Sequence, residues 1–268
     1  ATTIHMTDNA GLYDEWARTY DSDGNVLQML DSEAFEVVVI PLLRATDRPL
    51  RVLELGCGTG RNTVRVRGCV PGGSVVYAVD GSAGMVEAAR RKIGDLEGAE
   101  VEAEGEAKVK VEWALIDLST QQRELCALLA ASAGGQVGEG RGEEGWKVDA
   151  VVSTLVLEHV ELDTFFGLIG MVLKPGGWAW VTDMHPEMGA SRAGFRREAD
   201  GAKVLGSSVN HSIGDTLASS RLCGLELVGE VHEKGVGGQL DQAVERYGPR
   251  ARKWVGKNIF SAFLFSKV

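Results

Sequence analysis

The 268-residue sequence predicts an α/β fold in which a mostly parallel β-sheet lies between two layers of helices. Short apolar runs of strand length alternate with segments that carry apolar residues at helical spacing, which is typical of βαβ units. The first of these strands, 51–55, runs into a turn with glycines at 56, 58 and 60. Because glycine has no Cβ, such a turn can be sharp and a ligand can approach its backbone closely.

The remaining elements are predicted in chain order from the same patterns. Strands are expected at 51–55, 75–79, 109–115, 147–152, 178–183, about 225–231 and 259–265. Helices are expected from about Ser82, over 163–173, and from Ser212 as N-cap to Gly224. The Lys174–Gly177 segment, Lys-Pro-Gly-Gly, should end the second helix because proline and glycine do not continue it.

Asp80 stands at the carboxyl end of the second strand. A carboxylate at this point can accept hydrogen bonds from both hydroxyls of a ribose. The alternative is that Asp80 caps the helix that follows, a task for which Ser82 is the better candidate.

The segment Glu54-Leu-Gly-Cys-Gly-Thr-Gly60, an acidic residue followed by Gly-x-Gly-x-Gly, resembles the first motif of class I S-adenosylmethionine-dependent methyltransferases, in particular the small-molecule types 11 and 12. A dinucleotide-binding fingerprint would need glycine where this chain has Arg61. Acidic residues after strands two and three, the segment 153–160 after strand four and the Pro-Gly-Gly turn add to the resemblance.

The resemblance implies a Rossmann-like, doubly wound sheet of seven strands, mostly parallel, with an antiparallel last strand inserted between its neighbours. It implies one domain over 1–268, in which 1–47 form an N-terminal helical arm, 48–183 the cofactor-binding core, and 184–268 a substrate lid and the terminal strands.

The same resemblance implies S-adenosylmethionine as the cofactor. The residues expected against it are Tyr13, Tyr20, Glu54, Gly56, Gly58, Gly60, Asp80, Met85, Asp117, Leu118 and Ser153. Asp117 would accept from the adenine amine, or else cap the helix expected from Ser119. A hydroxyl of Tyr13 or Tyr20 would bond the methionine carboxylate, with the charge of Arg18 as the alternative. The alternative for this arm is an amphipathic helix that packs on the core through Leu12 and Trp16.

Three histidines are candidate proton acceptors, because the unperturbed pKa of histidine lies near neutrality. His185 is the first choice, since it follows strand five at the carboxyl edge of the sheet, where open α/β folds bind ligands. His159, after strand four, could contact the cofactor or line the pocket instead. His211 precedes a helix and could be structural. A base is needed only if the acceptor is a hydroxyl or a protonated amine.

Composition restricts the partners. A net charge of −10 argues against nucleic acid, which is bound by clustered Lys and Arg, and favours small neutral or cationic substrates. The four cysteines show no metal-ligand spacing, so neither a metal nor a disulfide framework is expected. No apolar run reaches the length of about 20 residues that spans a bilayer. A cytoplasmic monomer or homodimer is expected.

The expected function is methyl transfer from S-adenosylmethionine, in line, to a small metabolite, with oxygen or nitrogen as the preferred acceptor atom. The segment 153–156, Ser-Thr-Leu-Val, lacks the Asn/Asp-Pro-Pro-Tyr/Phe sequence of relatives that modify nucleobases and glutamine. Two alternatives remain open: a protein of this fold that promotes a rearrangement or cyclisation without methyl transfer, and a noncatalytic binding partner. A nicotinamide oxidoreductase is disfavoured by Arg61.

Overall fold

A computed structural model describes residues 3–99, 108–133 and 145–268, with backbone only for 97–99. The strands are β1 Ile4–Met6, β2 Arg51–Leu55, β3 Val75–Asp80, β4 Lys110–Leu115, β5 Val148–Thr154, β6 Leu173–Met184, β7 Gly194–Arg196, β8 Lys203–Leu205, β9 Leu225–Leu227, β10 His232–Gly235 and β11 Asn258–Lys267. The α-helices are α1 Asn9–Trp16, α2 Val26–Arg44, α3 Arg61–Arg67, α4 Ala83–Ala99, α5 Gln122–Ser132, α6 Leu162–Val172, α7 Ile213–Leu222 and α8 Leu240–Tyr247. Short 3₁₀ helices are formed by Leu157–His159, Pro186–Met188 and Pro249–Trp254.

The main sheet has the order β10-β11-β6-β5-β2-β3-β4, and β9 also pairs with β11. The pairs from β6 through β5 and β2 to β3 and β4 are all parallel, whereas β11 is antiparallel to β6. The predicted fold class and the inserted antiparallel last strand are therefore confirmed.

One predicted strand is divided in two. Instead of a single strand at 225–231, β9 and β10 pair with different parts of β11, so the main sheet has eight strands in seven positions across its width. Gly229 lies between the two strands with φ of +75°, and this left-handed conformation interrupts an extended strand.

Two hydrophobic clusters cover opposite faces of the sheet. Alternation along β2 divides the strand between them: Val52 belongs to the cluster that includes Phe35 and Trp180, and Leu53 belongs to the one that includes Phe166. This is the two-residue period of a strand that is buried on both faces. The helices lie on both sides of the sheet as a doubly wound fold requires.

The helix boundaries follow the local signals. Ser212 caps α7 by accepting from the backbone N–H of Asp215, as predicted. Helix α6 ends at Val172, and the Pro-Gly-Gly segment forms the start of β6, where the pairing with β5 is irregular. No helix in the described ranges is long and apolar enough to cross a membrane.

A second, three-stranded sheet was not predicted. Strand β1 pairs in parallel with β8, and β8 pairs antiparallel with β7. Leu12 and Trp16 of α1 pack on this sheet against Phe195 and Val204. The N-terminal arm and the segment after β6 thus form one packed unit. The division of the domain at 47 and 183 stays a prediction.

Candidate functional site

The carboxyl ends of the parallel strands border a cavity of about 360 Å³. The loops after β2, β3, β4 and β5 form one side of it, and the N-terminal arm forms the other. Its lining residues are Asp8, Asn9, Ala10, Tyr13, Tyr20, Gly56, Gly58, Asp80, Gly81, Ser82, Met85, Ile116, Asp117, Leu118, Ser119, Thr154, Leu155, Val156, His159 and Val160. The cavity therefore lies where open α/β sheets bind ligands.

The glycine turn after β2 is held by the end of β3. The backbone N–H groups of Gly56 and Cys57 both donate to the carbonyl of Val79, each at 2.9 Å. A Cβ at Gly58 would meet no protein atom within 4 Å, so it would project into free space at the cavity wall. The turn is thus shaped so that a ligand can lie against its backbone.

Asp80 connects the two loops that form the floor of the cavity. Its carboxylate accepts from the backbone N–H of Gly58 at 2.8 Å and of Ser82 at 2.9 Å. Burial raises the pKa of Asp80 above its ordinary value, although these two N–H groups oppose the rise. Each carboxylate oxygen can accept a further hydrogen bond, so the group can bind two hydroxyls while it holds the loops.

Asp117 lies next to an apolar surface formed by Met85, Ile116 and Leu118. Its carboxylate accepts from Ser119 N at 2.8 Å and from the Thr120 hydroxyl at 3.1 Å. The helix expected from Ser119 begins only at Gln122, with Gln121 as its N-cap, so Asp117 does not cap it. Its carboxylate instead holds the turn before that helix, and Asp117 also lines the cavity. A flat apolar ring with an N–H donor at its edge fits this corner.

The N-terminal arm closes the cavity through aromatic side chains. Tyr13 and Tyr20 both line it, and their ring centroids are 6.1 Å apart. The hydroxyl of Tyr13 lies 2.8 Å from Nε2 of His159, whose Nδ1 lies 3.0 Å from the carbonyl of Ser207. Burial, followed by Tyr20 and Glu158, raises the pKa of Tyr13, so its hydroxyl keeps its proton and can donate.

A second cavity of about 150 Å³ adjoins the first and shares Tyr13, Tyr20 and Leu155 with it. Leu155 has a φ of +57°, and among the described residues it is the only non-glycine with a positive φ. Such a conformation is strained for a leucine and persists only where its surroundings hold it. The backbone N–H of Leu155 donates to the hydroxyl of Thr182 at 3.1 Å, and that hydroxyl donates to buried Asp31 at 2.9 Å.

Arg61, at the position that departs from the dinucleotide pattern, continues the chain of contacts from Leu155 through Thr182 to Asp31. Its guanidinium lies 2.6 Å from the carboxylate of Asp31, which is fully buried. Burial alone would lower the pKa of Arg61, and the charge of Asp31 raises it instead. The ion pair links the helix after the glycine turn to the strained residue between the two cavities.

Three residues predicted against the cofactor do not line the first cavity. Glu54 is buried in β2, where it accepts from the hydroxyl of Thr63 at 2.6 Å. Gly60 packs against the helix behind the turn, so that a Cβ there would lie 3.0 Å from that of Ala89. The hydroxyl of Ser153 donates to the carbonyl of Leu55 at 3.0 Å. Each of the three lies behind the loops that form the floor of the first cavity and stabilises them.

Two of the three candidate histidines lie outside both cavities. His185 is buried; its Nδ1 accepts from the backbone N–H of Glu187 at 3.1 Å, and its Nε2 lies 2.7 Å from Glu233. His211 lies 3.2 Å from the carbonyls of both Leu157 and Val160, which fixes the loop after β5. Only His159 lines a cavity.

Several lining residues were not predicted. Asp8 and Asn9 enter the site because β1 and α1 fold over the sheet, and no local pattern marks them. Glu158 lines the second cavity but looks in the sequence like an ordinary acidic residue beside a candidate histidine. In the described ranges no three His, Cys, Asp or Glu side chains form a group that could hold a metal, and all four cysteines are free thiols.

Comparison with known proteins agrees with this geometry. Residues 53–179 match a family model described as a methyltransferase domain. The protein named "Uncharacterized methyltransferase AN0656" of Emericella nidulans is 32% identical over 271 residues, covering 94% of this chain and 88% of that protein. The chain belongs to the methyltransferase family. The methyltransferase fold is thus present over nearly the whole chain.

Solved structures support the same fold. The [4+2]-cyclase SpnF superposes on this methyltransferase with a TM-score of 0.58 at 16% identity, covering 99% of each chain. Magnesium protoporphyrin IX methyltransferase of Synechocystis PCC 6803, solved with S-adenosylhomocysteine, gives a TM-score of 0.56 at 14% identity over 97% of this chain and 95% of that one. The chain is a member of the class I S-adenosylmethionine-dependent methyltransferase superfamily, as its motifs predict.

Proposed function

We propose that this methyltransferase binds S-adenosylmethionine in the first cavity and transfers its methyl group to an oxygen or nitrogen of a small molecule held in the second. The observation that carries the proposal is the common wall of the two cavities at Tyr13, Tyr20 and Leu155. A cavity of about 150 Å³ is in the size range that holds a single benzene ring. Two adjoining cavities of these sizes suit a nucleoside cofactor and a small acceptor.

The residues of the first cavity fit the cofactor part by part. Asp80 offers carboxylate oxygens to the ribose hydroxyls. Asp117, beside the apolar surface of Met85 and Leu118, offers an acceptor to the adenine amine. The backbone at Gly58 leaves open space for the methionine part, and the hydroxyl of Tyr20, which also lines the cavity, can donate to its carboxylate.

The bound cofactor would supply an electrophilic methyl group, and the chain's own residues would supply position and exclusion of water. The aromatic side chains of Tyr13, Trp16 and Tyr20 pack together over the site, with ring centroids 4.9 Å apart for Trp16 and Tyr20. Holding two reactants in line converts an encounter in solution into an oriented reaction. Excluding water favours a step in which a cationic centre becomes neutral.

His159 is the histidine that we propose for proton movement. Its Nδ1 lies 3.0 Å from the Ser207 carbonyl, an acceptor, and 3.1 Å from the side-chain nitrogen of Asn9, a donor. We assign the proton to Nδ1, which then donates to the Ser207 carbonyl. Nε2 is then free to accept from the hydroxyl of Tyr13, which lines both cavities. His159 can in this way take up a proton through Tyr13 from an acceptor at the common wall.

Calorimetry with S-adenosylmethionine and S-adenosylhomocysteine tests the cofactor assignment. Asp80→Ala should weaken both affinities by about 1.5–3 kcal/mol, the usual value of a charged hydrogen bond. Because Asp80 also holds two backbone N–H groups, Gly58→Ala serves as a second variant that leaves that carboxylate intact and puts a methyl group into the open space. Since the φ of Gly58 is +54°, which strains an alanine, the free energy of unfolding of both variants is measured beside their affinities. Asp95→Ala, at an exposed position on α4, should leave both affinities unchanged.

A screen of small acceptors with methyl-labelled cofactor tests the reaction. Labelled product together with S-adenosylhomocysteine, formed in equal amounts, supports methyl transfer. Conversion of an acceptor without S-adenosylhomocysteine would instead identify a rearrangement or cyclisation. If neither compound binds to the folded protein, the cofactor assignment is refuted.

A further inference from the structure

Most of the residues that line the second cavity do not line the first, in which we place the cofactor. The second cavity lies between the common wall and a surface built from five separate segments: the start of α2, the end of β6 with the 3₁₀ helix that follows it, the stretch before β7, the start of β8, and the 3₁₀ helix that ends at Trp254. Polar, apolar and aromatic side chains all line it. Side chains from these segments would contact a ligand there and select it by its shape and charge.

Four cationic side chains line this cavity: Arg192, Lys203, Arg250 and Lys253. Arg250 is paired with Asp23, at 3.1 Å from its carboxylate. The other three form no ion pair with any residue in the described ranges. Partial burial, and after it the charges of Arg250 and Lys203, lower the pKa of Lys253. Arg250 and Lys203 therefore repel the positive charge of Lys253, and an anion bound beside Lys253 would relieve that repulsion.

This local charge is opposite to that of the whole chain. The net charge of −10 favoured neutral or cationic substrates. A net charge, however, carries no information on where in the structure the charged residues lie. At the mouth of the second cavity the cations come from segments far apart in the chain, at 192, 203 and 253. The fold therefore gathers positive charge at one place on an acidic protein.

Among the described residues that line this cavity, Glu158 is the only acidic one. It is 4% exposed, and its Oε2 has no hydrogen-bond partner. Its Oε1 lies 3.9 Å from Nε2 of His159. A buried polar atom without a partner destabilises the protein by about 1–3 kcal/mol. Because Glu158 lines the cavity, a ligand donor that reaches its carboxylate would remove that cost.

We propose that the second cavity binds an acceptor that carries an anionic group, carboxylate or phosphate, and at its other end a hydroxyl or amine. Arg192, Lys203 and Lys253 hold the anion at the mouth, and Oε2 of Glu158 accepts from the hydroxyl or amine inside. This inference rests on the proposed function, since it places the acceptor atom beside the common wall with the cofactor cavity.

Four single-ring probes test the charge preference. They share a phenol and differ in the para group: 4-hydroxybenzoate, 4-hydroxyphenyl phosphate, 4-hydroxybenzamide and 4-hydroxybenzylamine. Binding is measured on the full chain saturated with S-adenosylhomocysteine, by calorimetry and by the fluorescence of Trp16 and Trp254, which line the cavity. At least one anion should bind roughly tenfold more tightly than the amide, the range of one charged hydrogen bond, and the amine should bind least. Comparison of the two anions tells carboxylate from phosphate.

Matched variants assign the preference to residues. The double change Lys203→Gln and Lys253→Gln should remove most of the preference for anions and leave the affinity for the amide unchanged. Lys257→Gln, at an exposed position outside the cavity, is the control and should change nothing. Glu158→Gln should weaken all four phenols by a similar factor, since the hydroxyl is common to them.

Separate outcomes refute the two proposals. If S-adenosylhomocysteine does not bind, the proposed function fails. If it binds with normal affinity but the anions bind no better than the amide and the amine, or if no anion binds at all, the inference of an anionic acceptor is overturned. A preference that survives the double lysine variant would also overturn it, because the anion would then lie elsewhere.

Discussion

Glu54 shows at the scale of one residue how an acidic side chain of the cofactor motif serves the fold. Burial in β2 raises the pKa of Glu54 to about 8, although the Thr63 hydroxyl and the charge of Arg61 oppose the rise. The folded protein therefore keeps this proton at neutral pH, whereas the unfolded chain releases it near its ordinary value of 4.5. Between these two pH values the folded state binds the extra proton, so Glu54 makes the free energy of unfolding decrease as pH rises.

Glu54→Gln removes this proton linkage and keeps an acceptor for Thr63. The free energy of unfolding of the variant, relative to the native chain, should increase steadily from about pH 5 to pH 8, by at most ~1.4 kcal/mol per pH unit. Urea unfolding across this pH range measures it. Glu124→Gln, at an exposed position on α5, is the control. A constant difference between the Glu54 variant and the native chain would mean that Glu54 is ionised in the folded state.

His185 is the residue for which sequence position and structural position differ most. It follows the central strand β6, yet its ring caps the 3₁₀ helix at Pro186–Met188 and contacts Glu233. His185→Ala should lower the free energy of unfolding by about 1–2 kcal/mol, the range of a lost cap and a lost hydrogen bond. The affinity for S-adenosylhomocysteine should stay within about twofold, because His185 lines neither cavity and changes at sites without shared partners add within ~0.5 kcal/mol.

Urea unfolding and calorimetry on the same His185→Ala preparation separate these effects, and His5→Ala, at an exposed position, is the control. Loss of methyl transfer at unchanged stability would return His185 to the reaction as its base.

At the scale of elements, α1 is attached to the core by polar contacts as well as by packing. Oδ1 of Asp14 accepts from the hydroxyl of Ser82 at 2.6 Å and from the backbone N–H of Gly84 at 2.8 Å. It thus caps the N-terminus of α4 from another helix, where negative charge is favourable. Nearby, Asp21 accepts from Thr59 at 2.6 Å and pairs with Lys92 at 2.7 Å.

Asp14→Ala should therefore open the arm and weaken cofactor binding, although Asp14 does not line the cavity. We expect a loss of about 1 kcal/mol in stability and faster hydrogen exchange over 9–16. Affinity for S-adenosylhomocysteine should fall, because Tyr13 and Tyr20 lose their position. Asp14→Asn keeps an acceptor and should recover most of the affinity. Arg90→Ala, at an exposed position on α4, is the control. Unchanged exchange in α1 would show that packing alone holds the arm.

Local signals explain which elements the sequence could predict. Short apolar runs such as 75–79 mark the parallel strands, and α7 carries its own cap at Ser212. Strand β1, by contrast, is three exposed residues whose partner Lys203–Leu205 lies about 200 residues away in the sequence. Nothing in either segment marks the pairing. The same limit applies to Leu155, whose positive φ results from the contacts of Thr182 and Asp31 and not from its own preference.

At the scale of the whole molecule, the site is formed where segments that are distant in the sequence cross over the sheet and meet. The motif residues Gly58, Asp80 and Asp117 were found from sequence because each follows a strand, and parallel strands end at one edge of a sheet. The residues of the second cavity come from the arm, from the stretch before β7 and from the 3₁₀ helix after α8. Their proximity depends on how these segments cross over the sheet, so only the structure brings Glu158 and the cations together.

Binding should for this reason be linked to the stability of the whole chain. A ligand that contacts the arm and the core together binds the folded state alone, and at a concentration one hundred times its Kd it stabilises that state by about 2.7 kcal/mol. We expect S-adenosylhomocysteine to raise the midpoint of thermal unfolding by roughly 5–10 °C, since 1 kcal/mol corresponds to about 2–4 °C in a domain near this size. NADH at equal concentration should give no shift, because the glycine turn lacks the dinucleotide pattern at Arg61. A shift with NADH and none with S-adenosylhomocysteine would assign the cavity to a nicotinamide cofactor instead. A shift of less than 1 °C with both would mean that the arm and the core do not close around a nucleoside.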